Sequence, residues 1–253
     1  MALEFIADPD TKPGIAYQPQ KGLTRVVAPN ASPFTYTGTG TYLIGRKELC
    51  VIDPGPADNS HLKALLDAIS NRPVKYILIT HTHKDHSPLS RELALHCNAP
   101  IFGCAPLPNS TNGDHFEEAV DEAYNPDQIL RDGDSVQSSE WTLKVIATPG
   151  HTSNHLCYLW DEENALFCGD HIMGWSTSVI LPPDGNMAAY LQSLRRVQTL
   201  DCSKLWPTHG LPIDNPKQFL TALIQHRLDR EAAILRVLKE GPQDIMSIVQ
   251  ILY

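Results

Sequence analysis

The chain has 253 residues, of which 42% are hydrophobic and 19% charged, a balance that excludes intrinsic disorder for all but the termini. That length suits one large α/β domain, or a domain with a small appendage. The formal net charge of −9 opposes unassisted attraction to a long polyphosphate or an anionic membrane, although a pair of divalent ions reverses the sign locally inside a cleft.

The opening MALEFIADPDTKPG has no basic start followed by an apolar run, and no later segment approaches the roughly 20 apolar residues of a membrane span. A soluble, cytoplasmic protein is expected, with no membrane partner. The six cysteines form no CxxC pair and sit in apolar surroundings, which favours reduced, buried thiols. Oligomeric state leaves no trace in the sequence.

The first thirty residues are rich in Pro and Gly and read as irregular up to a first strand, TRVVAP (24–29). TYLIG (41–45) and LCVID (49–53) form a hairpin turning at Arg46 to Glu48. NSHLKALLDAIS (59–70) follows as an amphipathic helix with Leu62, Leu65, Leu66 and Ile69 on its apolar face. VKYILIT (74–80) is a buried strand that runs into a histidine cluster. A helix around 88–97 comes next, with Ser87 as its N-cap and Pro88 at its first position. A strand at 100–104 precedes a stretch to about 130 without regular pattern.

The second half repeats this grammar with strands near 134–138, 142–148, 154–160 and 164–168, a helix from about 186 to 200, and the short strand KLWP (204–207). Strands followed by helices thus occur twice. The rhythm suggests a four-layer αββα sandwich, although periodicity alone permits an ordinary α/β sheet equally well. From Pro216 a long helical pattern runs to Gly241-Pro242, and a second helix, QDIMSIVQILY (243–253), follows. Residues 213–253 are expected to form a small helical module, cut short, appended to a main domain at 1–212.

The chemistry concentrates in THTHKDHS (80–87). His81 and His83, two apart at a strand end, can converge on one ion, while Asp85 and His86 on the following turn can face a second. His151 after TLKVIATPG, Asp170 in ALFCGD and His209 after LWPT each sit where a strand breaks into a Gly-containing loop, at the same rim. His81, His83 and His151 make a three-imidazole group; Asp85, His86 and His209 make a harder, mixed one; Asp170 can bridge them. A position left open for water marks such a site as catalytic rather than structural.

HxHxDH, a His after a TPG turn, an Asp in a GD pair and the His of PTHG resemble the signature of the metallo-β-lactamase superfamily, over about residues 24 to 210. The resemblance implies the αββα fold and a binuclear centre, most commonly of zinc, held by His81, His83, Asp85, His86, His151, Asp170 and His209. It also implies that Asp53, in VIDPG, supports those ligands from behind. Paired glycines often follow HxHxDH in that family; here Ser87-Pro88-Leu89 stand in their place, which alters only the pocket wall beside His86.

Remaining histidines (His61, His96, His115, His155, His171, His226) read as surface or satisfied core residues. Cys168 reads as buried core rather than a ligand, Arg195 and Arg196 as a solvated helix face rather than a phosphate clamp, and Trp175 as a candidate pocket residue.

Two ions sharing a water lower its pKa towards neutrality, so a metal-bridging hydroxide is the expected nucleophile, oriented by Asp85. No GxSxG suggests a serine nucleophile instead. Thioesters, lactones, β-lactams and phosphodiesters all fit this chemistry. GDHIMGWSTSV, MAAYLQSLRRV, QHRLDREAAIL and IMSIVQILY resemble the branch of lactamase-like endoribonucleases of single-stranded RNA and their bacterial relatives, with a winged-helix-like C-terminal module. Single-stranded RNA is therefore the first expectation for substrate. A small-molecule thioester or lactone, as for glyoxalase II, is the alternative, and a non-catalytic metal-binding scaffold is an alternative of another class.

Overall fold

The computed structural model describes residues 3–8, 10–107 and 119–252; His115 lies outside them. A first sheet runs, in spatial order, through β1 (Tyr17–Gln20), β2 (Leu23–Val27), β3 (Gly40–Ile44), β4 (Leu49–Ile52), β5 (Val74–Ile79), β6 (Ile101–Gly103) and β7 (Gln128–Ile129). The strands up to β4 pair antiparallel. Beyond it the pairs β4/β5 and β5/β6 are parallel, and α1 (Asn59–Ile69) and α2 (Ser90–Cys97) supply the crossovers that parallel pairing requires.

A second sheet comprises β8 (Ser135–Gln137), β9 (Thr142–Ala147), β10 (Leu156–Trp160), β11 (Ala165–Gly169) and β12 (Lys204–Pro207). Only β11/β12 is parallel, and α3 (Met187–Thr199) makes its crossover. α4 (Pro216–Lys239) and α5 (Ile245–Leu252) follow.

The period of two along the second sheet decides the layering. Tyr158, Trp160, Phe167 and Trp206 point one way, into a core shared with Leu43, Ile52 and Leu78 of the first sheet. Cys157, Leu166, Cys168 and Leu205 point the other way, into a separate core closed by Leu191 and Leu194 of α3 and by Phe219, Leu220 and Leu223 of α4. β10, β11 and β12 are buried on both faces because a layer covers each face. With α1 packed behind the first sheet through Leu62, Leu65 and Ile69, the result is the αββα sandwich.

α1 starts as its sequence directs, with the Asp58 carboxylate accepting from the His61 N–H at 2.8 Å. α2 does not. Ser87 is not its N-cap: the Ser87 hydroxyl donates to Asp121 at 2.7 Å, and the helix begins at Ser90 without a side-chain cap. The segment between is held otherwise, with Leu89 N–H bonded to the Gly55 carbonyl at 3.1 Å, so tertiary contacts replace the local cap. β1 falls within the lead-in expected to be irregular, and β7 within the stretch that showed no pattern. Neither alternates buried and exposed residues; both are edge strands.

All six cysteines are unpaired, and Cys168 is fully buried in the second core. Among the described residues no helix is long and apolar enough to cross a membrane. The first half of α4 buries one face through Phe219, Leu220, Ala222 and Leu223, whereas Leu235 later in α4 and Ile245 and Met246 of α5 are exposed.

Candidate metal centre

β5, paired between β4 and β6 inside the first sheet, is apolar and buried throughout its last three residues and delivers Thr80 and His81 just beyond its carboxyl end. Asp53 directly follows the neighbouring strand β4 and adopts a left-handed conformation (φ 48°) before Pro54. Backbone sterics disfavour that combination, at a cost of about 1–3 kcal/mol. The carboxylate is held there by Thr80 N–H at 2.8 Å, Thr80 Oγ1–H at 2.7 Å and His86 Nδ1–H at 2.9 Å. Asp53 is fully buried and joins none of the convergent groups itself.

The loops after β5, β9, β11 and β12 bring the seven nominated side chains together. His81 Nε2 lies 2.9 Å from His83 Nδ1, which lies 3.1 Å from His151 Nε2. Ligands around a common ion at about 2.0–2.1 Å in tetrahedral geometry stand roughly 3.3 Å apart, so the trio is close to that spacing. Asp85 Oδ2 lies 3.3 Å from His86 Nε2 and 3.2 Å from His209 Nε2. Asp170 reaches both groups: Oδ1 is 3.5 Å from His86 Nε2, and Oδ2 is 3.3 Å from His209 Nε2 and 3.9 Å from His151 Nε2. Three sets have ligand atoms within 4.8 Å of one another: His81, His83 and His151; His81, His86 and Asp170; and Asp85, His86 and His209.

Orientation follows one rule in four of the five imidazoles. His86 Nδ1–H donates to Asp53, His151 Nδ1–H to the Val179 carbonyl at 2.6 Å, His209 Nδ1–H to the Gly38 carbonyl at 3.2 Å, and His81 Nδ1–H to Thr80 Oγ1 at 3.0 Å. Each bond places the lone pair on Nε2, which faces the centre. His83 is the exception and presents Nδ1.

The decisive observation is a pair of orphans. His86 Nε2 and Asp170 Oδ1 are buried without a hydrogen-bond partner, although such an atom costs about 1–3 kcal/mol. Both are electron-pair donors aimed at one point, so a cation there would satisfy both. The donor set therefore fits two divalent ions.

Charge divides the centre. Burial, reinforced by neighbouring imidazoles, pushes the His81 and His83 protonation equilibria down, the latter to about 3. Burial likewise lowers His151. At the other end burial again opposes charge, but Asp85 and Asp170 outweigh it and raise His86, and they raise His209 to about 9. Burial would raise the Asp85 and Asp170 carboxyls, and His86 and His209 hold both down.

Two glycines are required by geometry. Gly169 has φ 50°, and a Cβ there would stand 2.6 Å from His155 Nε2; at Gly150 it would stand 2.4 Å from the Tyr190 Cα. The first lets β11 turn Asp170 inward, and the second lets α3 pack against the loop that carries His151.

Several contributors leave no motif in the sequence. His155 Nε2 accepts the Asp170 N–H at 3.2 Å while its Nδ1–H donates to Thr148 at 2.8 Å, so this satisfied core histidine also fixes the backbone of the bridging aspartate. Thr39 Oγ1–H donates to Asp85 Oδ2 at 3.1 Å. His61 and His171 are buried, His96 is exposed and His226 half-buried, and none of these four joins the cluster. Arg196 pairs with Asp132 at 2.7 Å and Arg195 is exposed, which agrees with a solvated face.

The mouth above the centre is lined by Phe34, Thr35, Met173 and Val179 together with the ligands. Trp175 is not among those residues. It stacks on Tyr36 at 4.6 Å and so backs the loop that carries Phe34 and Thr35.

Comparison with known proteins gives the same picture. The family described as Metallo-beta-lactamase superfamily matches residues 37–209. The Beta-lactamase-like protein 2 homolog of Caenorhabditis elegans is 33% identical over 226 residues, covering 86% of this chain and 71% of that protein. The atrochrysone carboxyl ACP thioesterase of Aspergillus fumigatus is 30% identical over 224 residues, covering 86% of this chain and 65% of that protein. Among solved structures, a metallo-beta-lactamase family protein from Thermus thermophilus superposes with a TM-score of 0.75 at 24% identity, over 92% of this chain and 88% of the other.

Proposed function

The chain belongs to the metallo-beta-lactamase superfamily, and on that premise we propose that it is a zinc-dependent hydrolase of a small acyl thioester. The observation that carries the hydrolase reading is the convergence of the orphaned His86 Nε2 and Asp170 Oδ1 with five further donors. The 30% identity to a protein named a thioesterase supports the choice of substrate class over the single-stranded RNA that the branch resemblance implied. The mouth agrees: Phe34, Met173 and Val179 present apolar surface, and no lysine or arginine is among the described lining residues. An uncharged acyl group suits such a wall better than a chain of phosphates.

His81, His83 and His151 would hold one ion, Asp85, His86 and His209 the second, with Asp170 between them. Nitrogen-rich donors of this kind suit zinc. Two such ions, when bound, supply Lewis-acid charge and make water acidic near neutral pH. The chain's own contribution is orientation. Asp85, fixed by the Thr39 hydroxyl, presents a carboxylate oxygen where a water attacking the carbonyl must release its proton. Phe34 and Met173 seat the acyl chain and exclude competing water. Water adds to the carbonyl carbon, the C–S bond breaks, and the departing thiolate takes up a proton.

The test is release of free thiol from a short acyl thioester by zinc-loaded protein, beside cleavage of a labelled single-stranded RNA, with Asp170→Ala as control. Thiol release that disappears in the control is expected. Phosphodiester cleavage without thiol release overturns the thioester reading, and the absence of both turns the protein into a metal-binding scaffold.

A further inference from the structure

Four of the ligand imidazoles are oriented by an Nδ1–H bond, and three of the acceptors are anchored locally or by the fold. Asp53 is fixed by Thr80, Thr80 lies at the end of β5, and Gly38 sits beside β3. The fourth is different. His151 donates to the carbonyl of Val179, and no helix or strand covers residues 170–186. A loop carbonyl without ladder bonds is a poor reference point for a ligand unless something outside the loop holds it.

That outside contact comes from α4. Arg227 Nη2–H donates to the Ser178 carbonyl, and its guanidinium lies over the buried Tyr190 ring of α3, 5.4 Å from the ring centroid. The Ser178 carbonyl belongs to the planar peptide unit that ends at the Val179 Cα, the atom from which the Val179 carbonyl hangs. The Ser178 hydroxyl ties the same residue to the His171 carbonyl at 2.9 Å. Arginine suits the task because its flat guanidinium stacks on an aromatic face while an edge N–H donates, which an ammonium cannot do.

We infer that Arg227 is a positioning residue for the metal centre: from α4, beyond the family-matched segment ending at residue 209, it fixes the Ser178–Val179 loop and thereby the orientation of His151. This rests on the reading of the cluster as a binuclear metal site, and it assigns α4 a part in that site. The first half of α4 is packed on α3 through Phe219, Leu220 and Leu223, so Arg227 is delivered by a rigid element.

The experiment measures Zn²⁺ affinity and stoichiometry of metal-stripped protein by competition with a chromophoric chelator, together with the visible spectrum of the Co²⁺-loaded form. Arg227→Gln is expected to weaken one of two ions by about 10–100-fold and to change the Co²⁺ spectrum, leaving the other ion at wild-type affinity. Arg227→Lys is expected to fall between, and Arg236→Gln, at an exposed position of the same helix, to match the wild type. In a His151→Ala background Arg227→Gln should add no further loss, because both changes act through one ligand.

Wild-type affinity and spectrum in Arg227→Gln overturn the inference while leaving the metal reading intact. Additive losses in the double variant also overturn it, as does an unfolded Arg227→Gln beside an Arg227→Lys of wild-type affinity. A wild-type protein that binds no divalent ion overturns both readings.

Discussion

Buried histidines occur in two regions of this protein, the centre and the wall behind it, and burial does not distinguish them. His81, His83, His86, His151 and His209 are at most 7% exposed; so are His61, His155 and His171. What differs is convergence, because an unsatisfied nitrogen by itself also occurs in the wall, at His61 Nδ1 and at both nitrogens of His171. In the centre a ring nitrogen of each imidazole converges on its neighbours, and His86 Nε2 stands 3.3 Å from Asp85 and 3.5 Å from Asp170 without a hydrogen bond to either. In the wall, His155 has both nitrogens engaged by Thr148 and the Asp170 N–H, and His61 Nε2 meets Thr41 at 3.0 Å. A histidine thus becomes a ligand when its surroundings satisfy one nitrogen and leave the other aimed at a shared point.

The comparison breaks most completely at Asp170, whose two carboxylate oxygens reach towards both ends of the centre. Asp170→Ala should weaken divalent-ion binding by at least about 100-fold, more than the loss of any supporting partner, as read by chelator competition.

The wall should respond to pH instead of to metal. Burial lowers the His61 protonation equilibrium to about 4 from its ordinary 6.5. The unfolded chain therefore binds the extra proton between these values, so stability is complete above pH 6.5 and declines as the pH falls towards 4. The decline is on the order of 3 kcal/mol. His61→Gln should remove that part of the slope in denaturant titrations compared with the wild type, and parallel slopes in the two proteins would refute the assignment.

Asp53 sits between the regions, since its carboxylate holds His86 without entering the cluster. Asp53→Asn should weaken one ion by about 10–100-fold and leave the other largely unchanged, again by chelator competition. The smallest effect is expected at His96, exposed on α2: His96→Ala should leave metal stoichiometry unchanged and alter stability by no more than about 0.5 kcal/mol in chemical denaturation.

The part of the site that is legible from sequence is the part carried by single local events. Each candidate ligand lies in a loop that follows a strand, and an apolar run such as VKYILI followed by THTHKDH announces both the strand and the place where it releases polar side chains. The fold's two-sheet rhythm is legible for the same reason, because the apolar runs of β9 to β12 and the helical period of α3 are local patterns. Ser87 shows where that logic stops: it has the chemistry and the position of an N-cap, yet Asp121, 34 residues away, takes its hydroxyl. β1 and β7 were equally invisible, since an edge strand with exposed residues carries no hydrophobic period.

By itself, the sequence determined which side chains can bind metal, and that they lie at one rim of a layered α/β domain. Residue type and strand periodicity are properties of short segments, and these suffice for that conclusion. Only the tertiary structure decided which nitrogen of each imidazole faces the centre, which carbonyls hold the other, and that α4 reaches the site through Arg227. Those facts depend on backbone carbonyls and on contacts as distant in sequence as His209 to Gly38, 171 residues apart. A carbonyl is present in every residue, so nothing in the order of side chains marks the one that the fold will use.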